Sequence, residues 1–473
     1  MGRNGSRGRA GAGATGRSNS SRGARSRSAR YPKLKPGPGL STEDVAAHQR
    51  GRLQEAMVEL VAEHGYNGFA VATLSNRASV SKRDFYKHFA GKEECFLATY
   101  DSIVSNSVRG IIAATEGEEE WRERLRLGVL AFAGQIASSP DAARLALVEV
   151  FAAGPIAVEP MLRTSQLFEA LVAKNLAFSG GPSRLPRLVV KGIVAGGGRM
   201  ARARLLSEHV REPAFDGGEL LEWALSFRDD DVVRLRGLGV AGMSPLPAVA
   251  AEMPLADERT LILAATARLA SEGGYATLTV PRVRATAGVS RRSFDTHFEG
   301  VADCFLATLE MLGGRTLAAA AHLHLTADDW ASGVHRMIVS LCRHLACDST
   351  FTSLAFPEVF SPSLEAIQWR NEMTARLATL LRRGAPSEQR PSRFAAEASV
   401  GAIWGVIHHF VAIGRGAQLP IAAPMLSYIA LAPALGGAAA VDVILAEDGE
   451  NAGAYVAPSA ANFQHSIDRN HFS

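Results

Sequence analysis

Cysteine is scarce in this chain. The four residues Cys95, Cys304, Cys342 and Cys347 are too few for a disulfide framework in 473 residues. No His or Cys cluster of zinc spacing surrounds Cys342 and Cys347, so no metal site is expected, and the composition suits a reducing cytoplasm. Aromatics make up only 7% of the chain while hydrophobic residues reach 47%, so the cores must be mostly Leu, Val, Ala and Ile. The N-terminus lacks the apolar segment of a secretory signal. The opening Met1 to Ser6 fits a myristoylation pattern, but nothing else suggests an anchor. An uncharged stretch at 416–441 is interrupted by Pro420, Pro424 and Pro433, with Gly436-Gly437 behind them. It reads as a buried final helix rather than a membrane span. Catalytic signatures are missing as well: there is no GxSxG elbow, P-loop or paired-cysteine motif. Gly196-Gly197-Gly198 lies in a helical tract with no strand ahead of it, so a kink or close helix contact is expected there, not a dinucleotide site. No enzyme activity, catalytic residue, metal or cofactor is expected.

Acid is absent from residues 1–40, which hold ten Lys or Arg among Gly and Ser. The formal net charge of +4 therefore leaves 4 − 10 = −6 for the remainder, and any DNA-binding face elsewhere must be local. Such a segment cannot bury enough surface to offset its ordering entropy and is expected to be a disordered basic tail. It is either a solvated extension or a polycation that adds salt-sensitive, sequence-blind affinity for DNA.

What the chain does contain is a repeat. Gly65-Tyr66, Val80-Ser81, Phe85, His88-Phe89, Gly91 and Cys95 to Thr99 recur 209 positions later. Their counterparts are Gly274-Tyr275, Val289-Ser290, Phe294, His297-Phe298, Gly300 and Cys304 to Thr308. Aligned without a gap from Arg50 and Arg259, about 20 of 50 positions are identical. A period this long is no solenoid; it reads as two copies of a whole protein fused.

Each copy begins as a helix-turn-helix. Ser41 with Asp44 resembles a capping box, and Leu53, Met57, Leu60 and Val61 form an apolar stripe. Short helices are expected at 72–78 and 82–88, with another after Gly91. The second copy is cleaner, with Thr279 at an N-cap, Pro281 in the first turn and Gly288 in the tight turn. Long amphipathic tracts follow both, at 121–137, 142–151, 161–178, 188–206 and 220–227, and at 334–345, 364–381, 394–413 and 425–431. With no strand alternation, the fold class is all-α, two tandem units. The expected domains are a disordered tail at 1–40, a first head at 41–104 and a helical domain at 105–228. A linker at 229–254 follows, then a diverged second head at 255–312, a second helical domain at 313–440 and a C-terminal tail at 441–473.

The runs Val80 to Phe89 with Gly91 to Phe96, and Gly288 to Phe298, resemble the DNA-binding domain of the TetR family of transcriptional regulators. Each match covers about 50 residues. The tracts behind them fit the family's effector and dimerisation domain in length and helicity only. A recognition helix packs one face inward and offers polar side chains to base edges. Val80, Phe85 and Phe89 fall inward, leaving Lys82, Arg83, Asp84, Lys87 and His88 outward. Arg83 or Lys82 suits guanine in the major groove, and Asp84 suits cytosine. The resemblance implies that Tyr86 and Lys92 contact backbone phosphates, Lys92 at a helix start that favours anions. In the second copy Arg282, Arg291, Arg292, Ser293 and His297 are the candidates, with Arg284 beside Arg282. His88 and His297 share one position, expected to be exposed. The competing reading of all these is an ordinary solvated helix face.

Both copies depart from the family pattern. Asp295 replaces Tyr86 and Val301 replaces Lys92, so the second head should be the weaker reader. In the first copy Ala70 stands for the usual capping Thr, and Ser79 for the turn Gly. His408-His409, in an apolar run, reads as core or interface histidine. The expected function is a sequence-specific DNA-binding regulator, a ligand-responsive repressor, located in the cytoplasm. Its partners would be double-stranded operator DNA and a small apolar effector. By this reading the halves pair within one chain as a pseudo-dimer, or two chains associate. Effector residues are not legible; Phe132, Gln135, Phe151 and Met161 are guesses from polarity. The alternative is a ligand-binding or protein-interaction module whose second head, or both, no longer reads DNA.

Overall fold

A computed structural model describes residues 41–178, 185–206, 217–235, 257–356 and 364–450, and every regular element among them is an α-helix or a short 3-10 turn. The expected basic tail, residues 236–254 of the expected linker and residues 451–473 lie outside the described residues.

The first unit starts at the capping box. Ser41 Oγ accepts from the Asp44 amide at 3.0 Å, and Asp44 Oδ2 accepts from the Ser41 amide at 3.1 Å. Helix α1 (Thr42–His64) then buries Leu53, Ala56, Met57, Leu60 and Val61, one stripe at helical spacing. After α2 (Val71–Ala78) and α3 (Lys82–His88) come α4 (Lys92–Ala114), α5 (Trp121–Ser138), α6 (Pro140–Leu147) and α7 (Val158–Leu176). The unit closes with α8 (Arg187–Leu206), α9 (Gly218–Leu225) and α10 (Asp229–Val232). The second unit repeats the plan with α11 (Glu258–Gly273), α12 (Val280–Ala287), α13 (Arg291–His297), α14 (Val301–Leu325) and α15 (Trp330–Cys347). It ends with α16 (Ser349–Ala355), α17 (Leu364–Arg382), α18 (Arg393–Ala412), α19 (Leu419–Leu435) and α20 (Gly437–Glu450).

The register persists well past the 50 residues of recognisable identity. Helices α4 and α14, α5 and α15, and α6 and α16 each begin 209 residues apart (330 − 121 = 209 for Trp121 and Trp330). The offset becomes 206 at α8 and α18 (393 − 187 = 206). Cys95 and Cys304 occupy equivalent buried sites, and burial pushes their thiols up to about 12 and about 11.

Four elements differ from expectation. Residues 229–235, the start of the expected linker, form α10 and a 3-10 turn at Val233–Leu235. The tract expected to be helical through Phe151 ends at Leu147, and 3-10 turns over Glu149–Ala157 follow, broken by Gly154 at φ 67°. Helix α19 extends well beyond the expected 425–431; Pro420 lies in its first turn, where a missing amide is harmless, and Pro424 and Pro433 are carried inside it. Helix α20 runs across the expected end of the second domain at 440 and packs on α10 and the 3-10 turn Val233–Leu235 behind it, where Arg234 meets Asp442 at 2.8 Å.

The two units are joined by a four-helix arrangement of α8, α9, α18 and α19. Small residues let the α8 and α18 backbones approach closely. A Cβ on Gly196 would lie 2.5 Å from the Trp223 ring and 2.7 Å from the Ala398 carbonyl oxygen, and one on Gly405 would overlap Ala195. The glycine run is thus a close helix contact, one of the two readings its sequence allowed. Polar bonds cross the joint as well. Trp223 Nε1 donates to Ser399 Oγ at 3.0 Å, and the Tyr428 hydroxyl donates to the Arg228 carbonyl at 3.1 Å. Helices α18 and α19 are long and apolar enough to cross a membrane by length and composition, and most of each is buried in this bundle.

Candidate nucleic-acid interface and internal cavity

Helix α3 is held as a recognition helix should be. Ser81 Oγ caps it by accepting from the Asp84 amide at 3.0 Å, while Phe85 and Phe89 are buried with rings 5.9 Å apart. Lys82, Arg83, Tyr86 and Lys87 are exposed, Tyr86 standing edge-on to Phe85 at 5.3 Å. These four form one contiguous outward face.

The other candidates on this head are already engaged. Asp84 bonds Lys87 Nζ and Ser81 Oγ, both at 2.7 Å, and these bonds hold its carboxyl below the usual range. His88, expected to be exposed, is half-buried with Nε2 2.8 Å from Gln49 Oε1; burial lowers its pKa and favours the neutral ring. Lys92, read as a phosphate contact, instead donates to the Tyr66 and Phe69 carbonyls at 2.9 and 3.0 Å. Its ammonium also sits 4.6 Å from the Tyr66 ring. Here the lysine latches the turn after α1, because two orphan carbonyls and two aromatic faces converge on it.

The second head has the same geometry and different chemistry. Ser290 caps α13, and Phe294 and Phe298 are buried. Asp295, at the Tyr86 position, pairs with Arg291 at 3.3 Å, and Ser293 Oγ donates to Glu258 Oε2 at 2.7 Å. Arg282 turns back to donate to the Thr277 carbonyl at 2.7 Å, and Arg284 Nε is buried without a hydrogen-bond partner. Arg292 and His297 are exposed, and Val301 is half-buried where Lys92 latches the first head. Helix α3 thus presents three cations against one acid and α13 two against one, and in each the acid is paired within its own helix, Asp84 with Lys87 and Asp295 with Arg291.

Local stability also differs between the heads. Ala70 begins α2 with no side-chain cap, whereas Thr279 Oγ1 accepts from the Arg282 amide at 3.4 Å. Ser79 sits at φ 50°, a left-handed conformation natural to its counterpart Gly288 at φ 70°. Arg52 helps to hold that turn by donating to the Ser79 carbonyl at 2.8 Å.

Behind the first head lies a cavity of about 800 Å³. It reaches from α1 through α4, α5 and α7 to the bundle. Phe132, Gln135, Phe151 and Met161 all line it, and so do His408 and His409 from the second unit. Sequence reading missed the guanidiniums of Arg199, Arg202 and Arg370, which also border it; they fall in ordinary helical positions and carry no motif. The equivalent space in the second unit shrinks to about 50 Å³. In the 209-residue register Gly128 and Ala142 become Met337 and Phe351, and in the 206-residue register Gly197-Gly198 becomes Ile403-Trp404. Larger side chains fill the second unit from three helices at once.

Comparison with known proteins finds the two heads by sequence. The family described as bacterial regulatory proteins, tetR family, matches twice, at residues 53–99 and 262–308. The HTH-type transcriptional activator FasR of Mycolicibacterium smegmatis is 30% identical over 148 residues, 31% of this chain and 68% of that protein. The chain belongs to the TetR family. Among solved structures, a TetR-like transcriptional regulator from Rhodococcus sp. RHA1 matches this TetR-family chain at 19% identity and TM-score 0.32, covering 37% of it and 92% of the other. The fatty acid degradation regulator FadR from Bacillus halodurans matches at 18% identity and TM-score 0.33, covering 38% and 96%. The protein is therefore a TetR-family transcriptional regulator with two tandem TetR-like units.

Proposed function

We propose that one chain acts as an asymmetric pseudo-dimer on double-stranded operator DNA. The observation that carries this reading is the outward face of Lys82, Arg83, Tyr86 and Lys87 on a capped helix, in a chain whose two units are joined through α8 and α18. Arg83 and Lys82 read base edges in the major groove, and Tyr86 and Lys87 contact phosphate. Asp84 accepts from cytosine only by giving up Lys87 or sharing Ser81, and His88 and Lys92 serve mainly to position the helix. In the second head Arg292 and His297 supply phosphate contacts, Arg291 being paired and Ser293 and Arg282 engaged within the protein. That head adds affinity with little sequence discrimination.

A small effector occupies the first unit's cavity and, through α1 and the bundle, shifts the population of head arrangements that fit DNA. The action proposed is effector-relieved repression in the cytoplasm. Activation is the second reading, favoured by the name of the relative from M. smegmatis. Selection of bound sequences from random duplex DNA tests the DNA reading, with the wild type set against Arg83→Ala plus Tyr86→Phe. One enriched asymmetric motif, lost in the variant, is expected. No motif, or the same motif from both proteins, would sink it in favour of a ligand-binding or protein-interaction module. A promoter reporter carrying the selected site then separates repression from activation.

A further inference from the structure

We propose that the first head, with the end of α6 and the 3-10 turns behind it, swings as one body in the gap formed by the cavity, while the second head is fixed to the core. Regulation then acts on one head only. This rests on the ligand-responsive reading above and specifies how an occupant of the cavity is felt.

The grouping of buried side chains carries the argument. Those of the first head form their own cluster, which takes in Leu145 from α6 and Val150 and Phe151 from the 3-10 turns. The cavity lies between this cluster and the main core. Tyr100, Val104, Val150 and Phe151 line it from one side, Leu125, Ile193, Leu220 and Ala224 from the other. Helix α1 itself reaches the wall with Gln54 and Val58. In the second unit Phe294, Phe298, Met337, Phe351 and Ile403 all belong to a single cluster. Gln54 and Tyr100 correspond there to Leu263 and Leu309, both fully buried in that cluster.

Interdigitated side chains resist sliding, whereas two cores parted by a cavity can change their spacing without overlap. Bonds across the gap include ones that water can replace at little net cost. The Tyr100 hydroxyl donates to Thr164 Oγ1 at 2.9 Å, and Arg202 Nε donates to the Leu147 carbonyl at 2.6 Å. Glu149 keeps the 3-10 turns with the head: its Oε2 accepts from the Tyr66 amide at 3.2 Å and its Oε1 from Arg144 at 3.3 Å. The hinge then falls at Gly154, whose φ of 67° breaks the turns before α7. A molecule in the cavity touches both walls, so its size and shape set the angle of α3 and its separation from α13.

Spin-label distance measurements on the full chain test this. With the exposed Cys347 replaced by Ser, nitroxides go on Asn76→Cys or on its counterpart, Ala285→Cys. Each is paired with Glu222→Cys on α9 in the joint, and all three positions are exposed. The first-head distance distribution should be about twice as broad as the second-head one, or two-peaked. Gly128→Met with Gly198→Trp, copying Met337 and Trp404 into the cavity, should narrow it to the second-head width. An unchanged second-head distribution reports that this variant is folded. Gly198→Trp alone, where a Cβ has open space, should narrow it part-way. Equal widths for the two heads in the wild type, or a first-head width indifferent to both fillings, would overturn the proposal. DNA anisotropy on the same samples separates the two readings: a one-sided swing without DNA binding sinks only the regulator reading, and DNA binding with two equally fixed heads sinks only this one.

Discussion

The two halves of this chain share one helical plan and differ in what each does with it. In the first unit Gly128, Ala142 and Gly197-Gly198 leave a cavity of about 800 Å³; in the second, Met337, Phe351 and Ile403-Trp404 reduce it to about 50 Å³. The heads diverge in the same sense. The first keeps one more cation and an exposed Tyr86 on its outward face and tolerates a missing cap and a strained turn, while the second has Asp295 at the Tyr86 position, a side-chain cap and a glycine turn. Packing follows suit: the first head's buried side chains form a cluster apart from the main core, whereas the second head's are continuous with it. On the proposed function, the first copy reads DNA and holds the ligand while the second serves mainly as scaffold.

Substitutions can break this contrast, and the largest effect is expected at the joint. Gly196→Leu should destabilise the chain by about 3 kcal/mol through overlap with Trp223 and Ala398, while Gly198→Leu, facing open space, should be nearly neutral. Chemical denaturation measures both. Between the heads, Arg83→Ala should weaken operator binding by about 1–3 kcal/mol, and Arg292→Ala by distinctly less. Anisotropy titrations at two salt concentrations would show it, and equal losses would erase the proposed asymmetry.

Swapping the caps should narrow the stability gap. Ala70→Thr is expected to stabilise by about 1 kcal/mol and Thr279→Ala to destabilise by a similar amount, read as shifts in melting temperature. Ser79→Gly should stabilise by up to about 1 kcal/mol by relieving the left-handed serine. The smallest effect concerns pH. Burial, with Arg370 nearby, pushes His408 down to about 4, so between about 6.5 and about 4 the unfolded chain binds the extra proton. Stability contributed by the neutral ring is present above the unfolded pKa and lost as pH falls towards the folded one. His408→Gln should flatten that part of the stability profile.

The heads were legible because their signals are local. Capping residues, the Phe85 and Phe294 spacing and the repeat register locate α3 near 82–88 and α13 at the matching place in the second copy, since each rests on bonds within a few positions. Contacts that depend on distant segments were not. The long side chain of Lys92 reads as a phosphate ligand until Tyr66 and Phe69 are folded against it, and His88 reads as exposed until Gln49 comes alongside.

The repeat by itself determined that this is a duplicated all-α protein, where its recognition helices lie and that their chemistry has diverged. Periodicity and identity are properties of the chain alone. Only the tertiary structure decided that α8 and α18 close the two units onto each other, that one unit is hollow and the other filled, and that Arg202 and Arg370 meet over the Phe151 ring. Those outcomes depend on side-chain volume and charge brought together from helices far apart in sequence, and no local pattern encodes which helices will face one another.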